Sequence, residues 1–281
     1  MRSRSSCLFA ALACGLLLSP AALPAQGIAG VIIDGSQVSV TVSLPGGIAA
    51  DVLLRFEQVV GLSLANLGLG VGLVNPLDPA LLARLPSGAG TIPVAFPVLL
   101  TIEPPASGGL SFSGLVSLEL HTSNLLFTLG CPLRLFAAPA GGPFEDITSS
   151  MGMGSYRARG SRGDFSEFLI AIDLRSKDSV ARGKFAALRA RLDQAQPSIE
   201  PSVFTQLDDL LDSALAAYNA RKYLQAADLV ATFSLAVKAA SGSGIPDVWR
   251  SARDLVNVAG GLRSAADSLV FSIQLRRSSL L

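Results

Sequence analysis

The sequence predicts an antiparallel, Ig-like β-sandwich followed by a separate small α-helical bundle. Three observations support this fold class. Residues 28–174 contain many short apolar segments separated by Gly- and Pro-rich loops, which is typical of all-β domains. From about residue 177 the apolar residues recur at helical spacing instead. Residues 1–27 precede the first patterned strand and have the composition of a leader.

The first segment predicts a signal peptide over residues 1–27. It has two arginines near its start, an apolar stretch at 8–18 and then a Ser-Pro pair followed by small residues. Cleavage after Ala25 or after Gly27 fits the small residues there. The apolar stretch is shorter than the ~20 residues that span a bilayer, so a membrane anchor is disfavoured. Lipidation at Cys14 stays open as an alternative. We therefore expect a periplasmic or extracellular protein.

Charge excludes one class of partner. Removing residues 1–27 removes two arginines and no acid, which leaves 20 basic and 21 acidic residues. Nucleic-acid binding needs a net basic face, so no nucleic-acid partner is expected. No later apolar stretch is long and unbroken enough for a transmembrane helix.

Residues 28–174 are assigned to the sandwich. The segment "SQVSVTVSL" alternates polar and apolar residues, as a half-buried strand does. One short helix is expected at residues 78–85, with Pro79 in its first turn. Gly68, Gly70 and Gly72 predict a strand or bulge softened by glycine, because no helix follows them as a phosphate-binding loop would need.

Residues 175–183 are predicted to be a polar linker, residues 184–275 a helical bundle and residues 276–281 a tail. Four apolar stripes support the bundle. They contain Phe185, Leu188 and Leu192; Phe204, Leu207, Leu211, Ala214 and Tyr218; Tyr223, Ala227, Val230, Phe233 and Val237; and Trp249, Leu255, Ala259, Leu262, Ala266 and Leu269. Residues 269–276 could end as a helix or as a strand.

The helical half resembles the FIMAH-type module of bacterial secreted proteins over about residues 185–262. The resemblance rests on Leu207, Leu211, Ala214, Ala226, Val230, Phe233, Val237, Ala239 or Ala240, Ser241 and Gly242. Arg221 and Lys222 depart from it, because they occupy a turn where the module often has glycine. The resemblance implies a small accessory domain without established chemistry. The first half resembles generic β-sandwich domains of uncharacterised exported bacterial proteins.

The residues offer little for catalysis, so no catalytic, cofactor-binding or metal site is predicted and the protein is not expected to be an enzyme. His121 is the single histidine, and no Gly-x-Ser-x-Gly, HExxH or CxxC pattern is present. Glu145 and Asp146 are adjacent on a strand, so their side chains point to opposite faces. Cys131 is the one cysteine left after signal removal, and we expect it to be a buried small hydrophobe.

Arg162-Gly163-Asp164 is a tripeptide that cell-adhesion receptors bind. Turn chemistry explains it equally well, because Gly163-Asp164 suits a hairpin turn between two strands. We interpret it as such a turn, with receptor binding as the alternative.

The sequence thus favours an exported, non-catalytic protein that docks a macromolecule such as an envelope or extracellular protein. The alternative is a sandwich that binds a glycan or peptide in the loops at residues 75–79 or 104–109. Exposed aromatic residues would favour a glycan, and the strands contain only Tyr156 and no tryptophan before Trp249. A third class is a hydrolase that uses His121.

Overall fold

The computed structural model describes residues 27–128 and 130–278. In these ranges the strands form two antiparallel sheets, one of seven strands and one of five. The larger sheet contains β1 (Ile28–Asp34), β2 (Gln37–Leu44), β3 (Ile48–Val60), β6 (Ser111–Phe127), β9 (Thr148–Gly152), β10 (Gly154–Arg162) and β12 (Val248–Arg250). The smaller sheet contains β4 (Leu69–Leu73), β5 (Val98–Ile102), β7 (Leu133–Ala138), β8 (Glu145–Asp146) and β11 (Glu167–Ile172).

Six α-helices accompany the sheets within the described residues. They are α1 (Leu64–Leu67), α2 (Pro79–Leu82), α3 (Lys177–Ala195), α4 (Pro201–Asn219), α5 (Tyr223–Ala240) and α6 (Val258–Ser278). The order of strands is β1-β2-β3-β6-β10-β9 in the larger sheet, where β12 also pairs with β6. The order is β4-β5-β11-β7-β8 in the smaller sheet.

The two sheets enclose an apolar core, and the sequence pattern explains which residues enter it. Strand β2 buries every second side chain, from Val38 to Leu44, as its alternation predicts. Strand β7 is buried on both faces. Leu135 belongs to the core between the sheets, whereas Phe136 belongs to a second cluster on the outer face of the smaller sheet. Helix α2 covers that outer face through Leu81.

Three local predictions are confirmed. The short helix expected at residues 78–85 is α2, which begins at Pro79. Asp78 is its N-cap, because the Asp78 side chain accepts a hydrogen bond from the Ala80 backbone. Cys131 is buried and forms no disulfide. The glycine-rich stretch from Gly68 to Gly72 includes β4, a strand as expected.

The predicted fold class, an Ig-like sandwich followed by a separate helical bundle, is wrong. The protein is a mixed α/β structure in which strands and helices are interleaved. Strand β12 lies between α5 and α6 along the chain, yet Trp249 within it pairs with Phe112 of β6 and enters the core between the sheets. Helix α6 packs against β6, β9 and β10.

The reason lies in a second buried face of α6. Besides its apolar stripe, α6 buries Ser264, Ser268 and Ser272, which follow one another at helical spacing. Small polar side chains allow the helix to approach the strands closely, and the Ser264 hydroxyl donates a hydrogen bond to the Ser161 carbonyl of β10. A pattern based on apolar residues alone treats this face as exposed to solvent.

The boundaries of the helical part also differ from those expected. Residues 177–183, part of the predicted linker, form the first turns of α3, and the Ser176 hydroxyl caps it by accepting from the Ser179 backbone at 3.1 Å. Residues 269–276 are helical, and α6 continues to Ser278 into the predicted tail.

The predicted signal peptide, its cleavage positions and Cys14 fall almost entirely in residues 1–26, outside the described residues, so they stay predictions. Among the helices that the structure describes, none combines the length and apolar content of a membrane span.

Candidate functional site

A large cleft lies where the sheets meet the helices, and we call it the sheet–helix cleft. Its volume is about 1130 Å³. One wall is formed by β8 and by the crossover from β10 to β11, residues 163–166. The opposite wall is formed by α3, the start of α6 and the segment 246–258 that leads into α6. A cleft of this size can hold a drug-sized ligand or a short stretch of an extended chain.

A buried ion pair joins the two walls. The Lys184 ammonium of α3 lies 2.8 Å from the Asp146 carboxylate of β8, and the two side chains are only 12% and 2% exposed. Lys184 also donates to the Ser268 carbonyl of α6 at 3.2 Å. Asp146 accepts a further hydrogen bond from the Thr148 backbone at 2.9 Å. This pair therefore connects a strand and two helices.

Burial and charge shift the pKa values of this pair. Burial lowers the pKa of Lys184, and the Asp146 carboxylate opposes that effect without cancelling it. Burial acts to raise the pKa of Asp146, but the Lys184 charge and the hydrogen bonds from Thr148 hold that pKa below its ordinary value. Asp146 is therefore a carboxylate at neutral pH.

A chain of charges crosses the cleft beside that pair. Arg162 binds the Asp164 carboxylate through two nitrogens, at 2.7 and 3.1 Å. Glu145 lies 3.8 Å from Arg162 and forms an ion pair with Arg191 of α3. The Arg162 side chain is only 8% exposed, whereas the Glu145 and Asp164 side chains are 48% and 45% exposed, so the buried guanidinium holds carboxylates that reach solvent.

The Arg162-Gly163-Asp164 tripeptide lies in this wall, and the predicted hairpin turn is wrong. Strand β10 pairs within the larger sheet and β11 within the smaller one, so the tripeptide begins a crossover between sheets. Gly163 is needed there, because a Cβ at this position would lie 2.5 Å from the Gly261 backbone nitrogen of α6. With Arg162 and Gly163 buried, the tripeptide does not have the exposed loop tip that receptor binding requires.

The segment before α6 supplies the apolar part of the cleft. Trp249 packs edge-on against Phe165, with ring centroids 4.9 Å apart, and is 8% exposed. Leu255 and Val256 line the cleft and are 40% and 72% exposed, so they offer apolar surface to an occupant. Arg253, which lies between Trp249 and Leu255 in the chain, has a left-handed backbone with φ of 58°.

One polar group in the cleft lacks a partner. The Ser166 side chain lines the cleft and is part of a residue only 2% exposed, and its hydroxyl forms no hydrogen bond within the described residues. The Ser166 carbonyl is satisfied, because it accepts from the Ile102 backbone at 3.1 Å. Buried hydroxyls are usually hydrogen-bonded, and this one is an exception. Its oxygen has almost no accessible surface, so it does not offer a contact to an occupant of the cleft.

His121 lies elsewhere, on the solvent face of the larger sheet. Its Nε2 atom is 2.6 Å from the Ser155 hydroxyl of β10, and its Nδ1 atom is 3.8 Å from the Asp51 carboxylate of β3. The His121 and Asp51 side chains are 31% and 73% exposed. The order Ser–His–Asp is that of a hydrolase triad, but the Asp51 distance exceeds a hydrogen bond.

Other expectations about the site can be placed. Glu145 is exposed and Asp146 is buried, which confirms that they face opposite sides of the strand. Of the two loops considered for a ligand, neither 75–79 nor 104–109 contributes to the cleft. No three His, Cys, Asp or Glu side chains meet as a metal site in the described ranges.

Sequence reasoning missed Lys184, Ser166 and Asn257 as cleft residues. Lys184 and Asp146 are 38 positions apart, and neither belongs to a motif. The pairing partners of β8 on α3, Lys184 and Arg191, follow the predicted linker without any pattern that would relate them to Glu145 and Asp146.

The fold and the cleft together define a class of protein: a two-sheet α/β protein with a large cleft of mixed polarity between sheet and helix. The chain belongs to a family of unknown function, DUF6689, whose match covers residues 11–277. That match spans both halves as one unit and gives no support to a FIMAH-type module. No curated protein matches the chain.

Proposed function

We propose that this protein is exported and non-catalytic, and that it binds an extended peptide segment of another protein in the sheet–helix cleft. The observation that carries the proposal is a cleft of about 1130 Å³ whose lining combines paired charges with the exposed aliphatic side chains of Leu255 and Val256. The cleft lining includes neither histidine nor cysteine, so a Ser–His or Cys–His pair is absent from it.

The mixed lining favours a peptide over a glycan. Sugar-binding sites use exposed aromatic faces, whereas Trp249 and Phe144 are 8% and 2% exposed. The cleft instead combines paired charges of both signs with the exposed aliphatic side chains of Leu255 and Val256. Such a surface suits a chain that carries both polar backbone groups and apolar side chains.

Export rests on the leader pattern over residues 1–27. The measurement is the intact mass of material recovered outside the cytoplasm. We expect a chain that begins at Gln26 or Ile28. A mature chain that retains Met1 would contradict export by this signal.

Peptide binding is tested by selecting random peptides on the purified protein and measuring their affinity for two matched variants. Ala187 lines the cleft and is exposed on α3, whereas its neighbour Ala186 is exposed but lies outside the lining. We expect Ala187→Trp to block the cleft and weaken binding at least about tenfold, and Ala186→Trp to leave it unchanged.

The outcome can contradict the proposal in two ways. Peptides that bind both tryptophan variants equally well do not occupy the cleft. Binding on a glycan array, with no peptide selected, would favour the glycan alternative instead.

A second candidate function is a hydrolase, and one observation favours it: the 2.6 Å contact between His121 and Ser155 with Asp51 nearby. Against it stand the exposure of Asp51 and the position of all three residues outside the cleft. A fluorophosphonate probe decides between the candidates. Labelling of wild type that is lost in both Ser155→Ala and His121→Ala would establish a serine hydrolase.

A further inference from the structure

Helices lie beside two of the four edge strands of the two sheets and not beside the other two, in the part of the chain that the structure describes. Helix α3 lies beside β8, where Lys184 pairs with Asp146, and α6 packs against β9. The other two edges, β1 and β4, have one strand partner each, and none of the four long helices makes an extended contact with them in the described residues. These two open edges lie on the same side, since Gly27 at the start of β1 approaches the Val71 carbonyl of β4.

Strand β1 lacks most of the features that protect a sheet edge. It contains neither lysine nor proline, and its one charged residue is Asp34 at its end. Ile32 and Ile33 are 69% and 37% exposed. One irregularity in the pairing with β2 lies between Ile28 and Gly30, which leaves the segment from Gly30 to Asp34 regular.

The hairpin geometry shows which backbone groups face outward. Asp34 and Gln37 are opposite each other across a two-residue turn and exchange both backbone hydrogen bonds. Bonding alternates along an antiparallel pair, so Val31 and Ile33 direct their N–H and C=O groups away from β2. The edge thus offers two residues with unpaired donors and acceptors.

We propose that β1 pairs with β1 of a second copy of this chain, antiparallel and centred on Ile32. This register places Val31 opposite Ile33 of the partner copy, so all the outward groups of both copies are satisfied. The two Ile32 side chains then meet on one face. Antiparallel pairing also keeps the two Asp34 carboxylates about 14 Å apart along the strands, whereas parallel pairing in register would bring them together.

A second copy is favoured over a foreign strand because one antiparallel register of two identical segments pairs the outward groups of Val31 and Ile33, brings the exposed Ile32 side chains together and keeps the two Asp34 carboxylates apart. The larger sheet would become continuous across the two-fold axis. The cleft is formed by residues from Pro86 onward, so this interface is independent of peptide binding.

Light scattering coupled to size-exclusion chromatography tests the proposal on the full chain as purified, over a range of concentrations. We expect a dimer, and Ile33→Pro should raise its dissociation constant at least about tenfold because it removes an outward N–H without breaking the β1–β2 hairpin. Ile32→Lys should do the same by placing two ammonium groups opposite each other. The matched control is Val60→Lys, a strand residue of the same sheet that is 70% exposed.

A thiol cross-link gives a second readout. Two chains carrying Ile32→Cys should form an intermolecular disulfide under mild oxidation, and two chains carrying Val60→Cys should not. A protein that stays monomeric at every concentration, with no cross-link at position 32, overturns pairing with a second copy. A dimer that survives both β1 substitutions, or that Val60→Lys also disrupts, places the interface elsewhere.

Discussion

The ion pair between Lys184 and Asp146 gives the sharpest test of the fold, because it lies between the sheets and the helices. Replacing Lys184 by Met leaves the Asp146 carboxylate buried, 2% exposed, without its cation. Removing one member of a buried pair typically costs about 3–5 kcal/mol of unfolding free energy. Replacing both, as in Asp146→Asn with Lys184→Met, leaves no unpaired charge and should cost about 1 kcal/mol or less.

Urea unfolding measures this loss with two probes. Far-UV circular dichroism follows the helices, and fluorescence follows Trp249, which lies in the core between the sheets. We expect one transition that both probes report together, displaced to lower urea in Lys184→Met. The exposed Lys222→Met is the control and should change stability by less than about 0.5 kcal/mol. Separate transitions for the two probes, with Lys184→Met as mild as the control, would refute the coupling of helices and sheets.

Two further predictions concern the same junction. Gly163→Ala should destabilise the protein by about 1–3 kcal/mol in urea unfolding, because the added Cβ would lie 2.5 Å from the Gly261 nitrogen. The control is Gly261→Ala, whose Cβ meets no atom within 4 Å and which should stabilise α6. Glu57 accepts two hydrogen bonds from Arg263, at 2.6 and 2.7 Å, which hold its pKa below 4.5. The stability that Glu57 contributes is therefore present above its unfolded pKa, about 4.3, and is lost as pH falls through the lower folded value. Glu57→Gln should flatten the acid side of the pH–stability curve, and an unchanged acid limb would contradict this role.

The sequence patterns predicted the local elements better than their arrangement. Alternation identifies β2 because one face of this strand packs on the core and the other faces solvent. Helical periodicity similarly identifies α3, α4 and α5, whose apolar stripes bury one another. These signals are local, so they do not report which element packs against a second layer.

The cleft could not be predicted for the same reason. Its walls come from residues far apart in the chain, and Trp249 was assigned to a helical stripe although it lies in β12. Turn chemistry at Gly163 was consistent with a hairpin as well as with a crossover, since glycine serves tight turns and close backbone approaches alike. The position of α6, whose small residues pack against β10, distinguishes the crossover from the hairpin.

Asn257 shows how one side chain can fix that position. Its Oδ1 atom accepts from the Gly260 backbone at 2.7 Å, as the N-cap of α6, and its amide donates to the Gly114 carbonyl of β6 at 2.7 Å. The residue is 5% exposed. An ordinary N-cap tolerates aspartate in place of asparagine, because a carboxylate also accepts from the helix and favours its positive end.

Asn257→Asp therefore separates the two roles. If Asn257 only caps α6, the aspartate variant will match wild type while Asn257→Ala loses about 1 kcal/mol. If the bond to Gly114 holds α6 on the sheet, the aspartate variant replaces that donor by a carboxylate facing a carbonyl oxygen and should lose about 1–3 kcal/mol or more. We expect the second result by urea unfolding, with Asn257→Asp at least as destabilised as Asn257→Ala. Wild-type stability in Asn257→Asp would show that the bond to Gly114 contributes nothing to holding α6 on the sheet.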